Sequence, residues 1–168
     1  MLSWEQRPFE IAYSLNPAYC TLVLHSAING FINENRDNLG MPYPLIFLIL
    51  PLIIYQPIRD ALPKNTAIRL TQWLKDNSQV QIWLAKRIEQ LVPYTKETVL
   101  FAMQHQVIAI DKNGTFYLTK KQLNIKNELN WSDDVIANIC IKKAHFLGKW
   151  FAVTGDETTI FRIMGIRP

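Results

Sequence analysis

The side chains best suited to chemistry in this 168-residue chain are three histidines, His25, His105 and His145, and two cysteines, Cys20 and Cys140. No two of them lie at the spacing that zinc sites use. His25 and His145 fall beside apolar positions of helical segments, where a hydrogen-bonded structural histidine is expected. His105 falls at a helix end, where its charged form would face the terminal carbonyls. The cysteines sit inside apolar helical patterns and read as small buried hydrophobes. Asp133 and Asp134 follow Ser132 at a helix start and suit capping better than metal binding. The chain has no Gly-rich phosphate loop ending in Lys-Ser or Lys-Thr, no dinucleotide fingerprint and no Gly-x-Ser-x-Gly elbow. The expectation is therefore a protein with no catalytic, metal or cofactor site, and not an enzyme.

Composition narrows the alternatives. Hydrophobic residues make up 49% and charged residues 19%, which suits a globular chain and not a disordered one. The net charge of +4 permits nucleic-acid contact without requiring it, because the longest basic runs are only Lys120-Lys121 and Lys142-Lys143. If DNA is bound, Lys96, Lys112, Lys120 and Lys121 are the candidate contacts. The stretch LIFLILPLII, residues 45–54, imitates a membrane span, but it is about half the length a spanning helix needs. With Pro42, Pro44, Pro51 and Pro57 nearby, it reads as two short buried helical pieces broken around Pro51. The first residues, MLSWEQRPFE, lack the basic and apolar regions of a signal peptide, so a cytoplasmic protein without a membrane partner is expected.

These side chains need elements to hold them. The segment up to Leu15 alternates weakly and reads as extended. Asn16-Pro17 suits a helix start, and Leu22, Leu24, His25, Ile28, Phe31 and Ile32 follow at helical spacing. Asn65 or Thr66 could cap a helix carrying Ile68, Leu70, Trp73 and Leu74. Residues 78–91 and 95–105 read as two helices interrupted by Pro93, with Thr95 as the second cap. Val107–Ile110 and Thr115–Leu118, joined by Asp111-Lys112-Asn113-Gly114, form a hairpin signal. Helix, turn, helix and hairpin over 78–120 is the order of a winged-helix unit, which can serve DNA or protein binding. A long helix after Ser132 carries Val135, Ile136, Ile139, Cys140, Ala144, Leu147, Trp150 and Phe151 as a wide apolar stripe. Gly148 within it implies close approach of another backbone. Gly155 ends it, and Asp156 starts a final short element whose pattern does not decide between helix and strand. The expected fold is mostly α with a small β-hairpin, a winged-helix-like unit within a helical domain. It forms a single compact domain over 1–168, with parts at 16–75, 78–120 and 131–168.

A family resemblance adds to this reading. FLGKWFAVTGDETTIFRIMGIRP, residues 146–168, resembles the C-terminal ending of the middle component of bacterial three-component ABC-ATPase systems, the group that includes the Lamassu anti-phage defence systems. WEQRPFEIAYSLNPAYC, residues 4–20, is similar to that family's opening, and LIFLILPLII resembles its Leu-Pro-Leu segment. Lys149 stands where the family pattern has Arg, keeping the charge but not bidentate hydrogen bonding. The resemblance implies a non-enzymatic adaptor between an SMC-like ABC ATPase and an effector such as a nuclease, with DNA reached through the complex. It also agrees with the winged-helix accessory subunits of bacterial condensins. Lys149, Arg162 and Arg167 become the candidate partner contacts, because they put charge on an apolar ending. Trp150 and Phe151 are expected in the core. The alternative is a free-standing winged-helix DNA-binding regulator.

Overall fold

A computed structural model describes residues 6–35, 39–119 and 135–166. In chain order they form α1 (Phe9–Ser14), α2 (Pro17–Glu34), β1 (Met41–Pro42), α3 (Ile46–Ile53) and α4 (Gln56–Ala61). There follow α5 (Leu70–Asp76), α6 (Ser78–Gln104), β2 (Ile108–Ile110), β3 (Thr115–Leu118), α7 (Val135–Thr154) and α8 (Glu157–Met164). A 3-10 turn, Tyr43–Leu45, leads into α3. The protein is mostly helical, with a small antiparallel sheet of strand order β1-β3-β2.

The helix starts follow from local chemistry. The Asn16 side chain accepts from the Ala18 N–H at 2.8 Å, with Pro17 at the first helical position. The Asp156 carboxylate caps α8 by accepting from the Thr159 N–H at 2.6 Å. Asp111 organises the hairpin, taking the N–H groups of Asn113 and Thr115 at 2.9 Å each. Those bonds hold its carboxyl below the usual carboxylate range. Gly114, at φ +76°, closes the turn.

The segment with the look of a membrane span is the centre of the molecule. Ile46, Leu48, Ile49, Leu50, Leu52 and Ile53 are all fully buried. Burying each such side chain contributes about 1.5–3 kcal/mol, so α3 is the main apolar anchor of the core. It packs against α2, α6 and α7. Among the described residues no helix is long and apolar enough to cross a membrane.

Against α3 lies the tightest crossing of the fold, between α2 and α7. A Cβ on Gly148 would sit 1.9 Å from the Ala27 carbonyl oxygen, and one on Gly30 would sit 2.0 Å from that of His145. Each helix therefore presents a glycine to the other's backbone. Ser26 Oγ donates to the Ile141 carbonyl at 2.9 Å, and His145 Nδ1 lies 3.3 Å from the Ser26 carbonyl. The close backbone that Gly148 implied is thus that of α2.

Several expectations need correction. Residues 78–104 form one helix of 27 residues that runs through Pro93, so the break needed by a helix-turn-helix at that point is absent. Proline in a helix interior costs about 3 kcal/mol. Here Val80 and Leu84 before it and Thr95, Thr98, Val99 and Ala102 after it are buried on one face, which holds both halves in line. Thr95 is accordingly a buried interior residue and not a cap. Pro51 likewise lies inside α3, and the break comes after Ile53. Phe9–Ser14 is helical where the weak alternation suggested an extended segment. Asn65 accepts from the Ala67 N–H, but α5 starts only at Leu70. The undecided final element is the helix α8. Trp4, Lys120, Lys121, Trp131, Ser132, Asp133, Asp134 and Arg167 lie outside the described residues.

Candidate docking groove

Of the groups that first suggested chemistry, the two thiols are buried, His25 and His145 are half-buried and His105 is exposed. Cys20 and Cys140 are buried and free, and burial pushes the Cys20 thiol up to about 12, far from a reactive thiolate. His25 is partly buried, which lowers its basicity, and its Nδ1 lacks a hydrogen-bond partner. His105 lies against the Phe101 ring just past α6, centroids 4.2 Å apart and planes tilted by 41°. Among the described residues no cluster of His, Cys, Asp and Glu could hold a metal ion.

Trp150 and Phe151 are core residues, as expected. The Trp150 indole donates to the Ile68 carbonyl at 2.7 Å and meets Trp73 edge-on at 5.5 Å. Trp73 donates to the Ala61 carbonyl, also at 2.7 Å. Both indoles satisfy their N–H while burying their rings.

The outer surface holds a different feature. A depression of about 560 Å³ runs along α6 past Ala85, Ile88, Glu89, Val92 and Lys96. Its other wall is Tyr43, Pro44 and Phe47, with Phe161 and Ile166 at one end. A second, of about 320 Å³, continues from Lys96 to Val99, Leu100 and Met103, against Ile110 and Phe116 of the sheet. A third, of about 420 Å³, extends past Phe161 to Glu157 and Arg162. Shared walls join the three into one groove: Tyr43, Phe47 and Lys96 at one junction, and Pro44, Phe161 and Ile166 at the other. Leu100 is 61% exposed and Met103 38% exposed at its rim. Large contiguous apolar surface is a general feature of interaction sites.

The groove brings together two candidates that the sequence had assigned to different partners. Lys96 stands midway along it and Arg162 lies at one end; the nearby Asp156 carboxyl is held below its usual range chiefly by hydrogen bonds from Thr159, with Arg162 adding to them. Lys112 is exposed in the hairpin turn and does not line the groove. Lys149 pairs with Glu34 at 3.4 Å, joining α7 to the end of α2; both side chains are over a third exposed, so the pair is worth little to stability.

Sequence reasoning missed two parts of this region. The first is Arg7, whose side chain is 4% exposed and forms a bidentate pair with Glu97 at 2.9 Å for each bond. It also lies over the Tyr94 ring at 5.5 Å. The pair fastens the start of the described chain to α6 just past Pro93. The second is the groove face of α6, hidden because dividing the helix at Pro93 cut its pattern in two.

The described residues form a mostly helical fold with a small sheet, buried thiols and a long apolar groove. The chain belongs to the family of the ABC-three component (ABC-3C) system Middle Component 3, whose family model matches residues 4–168. Neither a curated protein nor a solved structure matches it. Membership of a three-component ABC system implies partners within that system.

Proposed function

We propose that this middle component is a non-enzymatic adaptor of its system, acting in the cytoplasm to join an SMC-like ABC ATPase to an effector such as a nuclease in anti-phage defence. The observation that carries the reading is the groove along α6, an apolar surface with Lys96 midway and Arg162 at its end, on a chain of the middle-component family. An adaptor needs such a surface to recognise a partner. The order of elements supports a winged-helix kinship in a form other than that read from the sequence. A helix (α2), a strand (β1), further helices ending in α6, and two strands paired in the order β1-β3-β2 match a winged-helix succession with an extended last helix. The apolar setting of Lys96 favours protein over bare DNA as the ligand of that helix.

The test is co-expression of the tagged protein with the other two components of its system, followed by size-exclusion chromatography in moderate salt. Co-elution with the ATPase is expected, and Arg162→Glu should reduce it. Elution alone, with salt-sensitive retention on a DNA column, would replace the adaptor reading with that of a DNA-binding regulator.

A further inference from the structure

The groove wall contributed by α6 has a strict spacing. Ala85, Glu89, Val92, Lys96, Val99 and Met103 recur at alternating intervals of four and three residues, and all line the groove. Ile82, 74% exposed, continues the same spacing one step earlier. From Ile82 to Met103 the row spans about 31 Å of helix. An alternation of three and four is the seam of a coiled coil, in which apolar residues seven apart meet a facing helix. The residues that complete the protein's own core, Val80, Leu84, Thr95, Thr98 and Ala102, lie on the neighbouring face, and Val99, itself buried, stands where the two faces meet.

The centre of this row is charged where its ends are apolar. Ile82, Glu89, Lys96 and Met103 occupy equivalent places, one heptad apart, with the opposite charges of Glu89 and Lys96 as the middle two. Among the described residues neither makes an ion pair. Pro93 has no N–H to return to the Glu89 carbonyl, which adds a second acceptor beside that carboxylate. Polar residues within an otherwise apolar seam fix register and partner choice.

We infer that the groove receives an amphipathic helix from another component of the same system, packed along α6 as a coiled-coil neighbour. That helix places a basic side chain over Glu89 and an acidic one over Lys96. The inference rests on the adaptor reading and names the kind of partner segment that it requires.

The test uses the full chain co-expressed with the other two components. A photo-crosslinking amino acid replaces exposed Leu100, and crosslinked peptides from the purified complex are mapped by mass spectrometry. Crosslinks to a component of the system, in a segment whose apolar residues repeat every three to four positions, are expected. Lys96→Glu and Glu89→Lys should each weaken the complex roughly tenfold. The double exchange should not restore it, because it reverses the order of the charges along the helix. Lys112→Glu, in the hairpin turn, should leave affinity unchanged. Circular dichroism and thermal melting of each variant alone verify that the fold is retained. A complex that forms normally with both exchanges, or that crosslinks at Leu100 to a second copy or to an extended segment, overturns this inference and leaves the adaptor reading standing. Failure of any complex to form overturns both.

Discussion

At the scale of single residues, the molecule is most sensitive where backbone meets backbone. Gly148 leaves no room for a methyl group against Ala27, and the obstacle is main chain that cannot rotate aside. Gly148→Ala should therefore lower stability by about 3 kcal/mol, read from the urea midpoint, whereas adding a methyl to an open helix glycine would normally help. His25 gives a pH signature. Burial holds its folded-state basicity below the ordinary value of 6.5, so the unfolded chain takes up the proton first as pH falls. Stability should be fully present above that value and decline as pH drops through it, down to the lower folded value. Unfolding curves from pH 8 to pH 5.5 measure this, with His25→Leu expected to flatten the slope over that range. A profile for the natural chain that is flat or rises on acidification would contradict the assignment.

Elements show how local and tertiary forces divide the work. Just past α6, Gln106 takes a positive φ (56°), with the Gln106 and Val107 N–H groups returning to the Met103 and Ala102 carbonyls. That close suits glycine, so Gln106→Gly should raise stability by about 0.5–1 kcal/mol in thermal or urea unfolding. Arg7→Ala should do the reverse. It leaves Glu97 without its bidentate partner, and faster hydrogen exchange in α1 and around Tyr94 should accompany a loss of about 2 kcal/mol. The start of α2 and the hairpin turn were legible in the sequence because each depends on neighbouring residues alone; the stripe on α7 was legible from Cys140 onward, while Val135, Ile136 and Ile139, read with it, are exposed. The continuity of α6 was not. Proline's local preference says stop, and only packing from both sides of Pro93 overrides it. The groove was hidden for the same reason, since its spacing emerges only when Ile82 through Met103 are read as one helix. Lys96 and Arg162 were picked as charges without any indication that a shared apolar surface joins them.

For the whole molecule, the core draws residues from Leu15 near its start to Met164 near its end. Its assembly prediction follows from the surface left over. Leu100 and Met103 need no water-facing role in a free-standing protein, and Leu100→Asp should leave melting temperature within a degree or two while reducing co-elution with the other components. Loss of both together would mean that Leu100 serves the fold instead. The crossing of α2 with α7 also has a meaning in time. Its two halves are residues 17–34 and 135–154, so a ribosome delivers α2 and α3 well before α7. Until α7 emerges, α2 lacks its main packing partner and α3 has only the cover that α2 and α6 give it, so the core cannot close before residues 135–154 are made. A premature stop within α7 should yield insoluble protein and not a shortened working subunit.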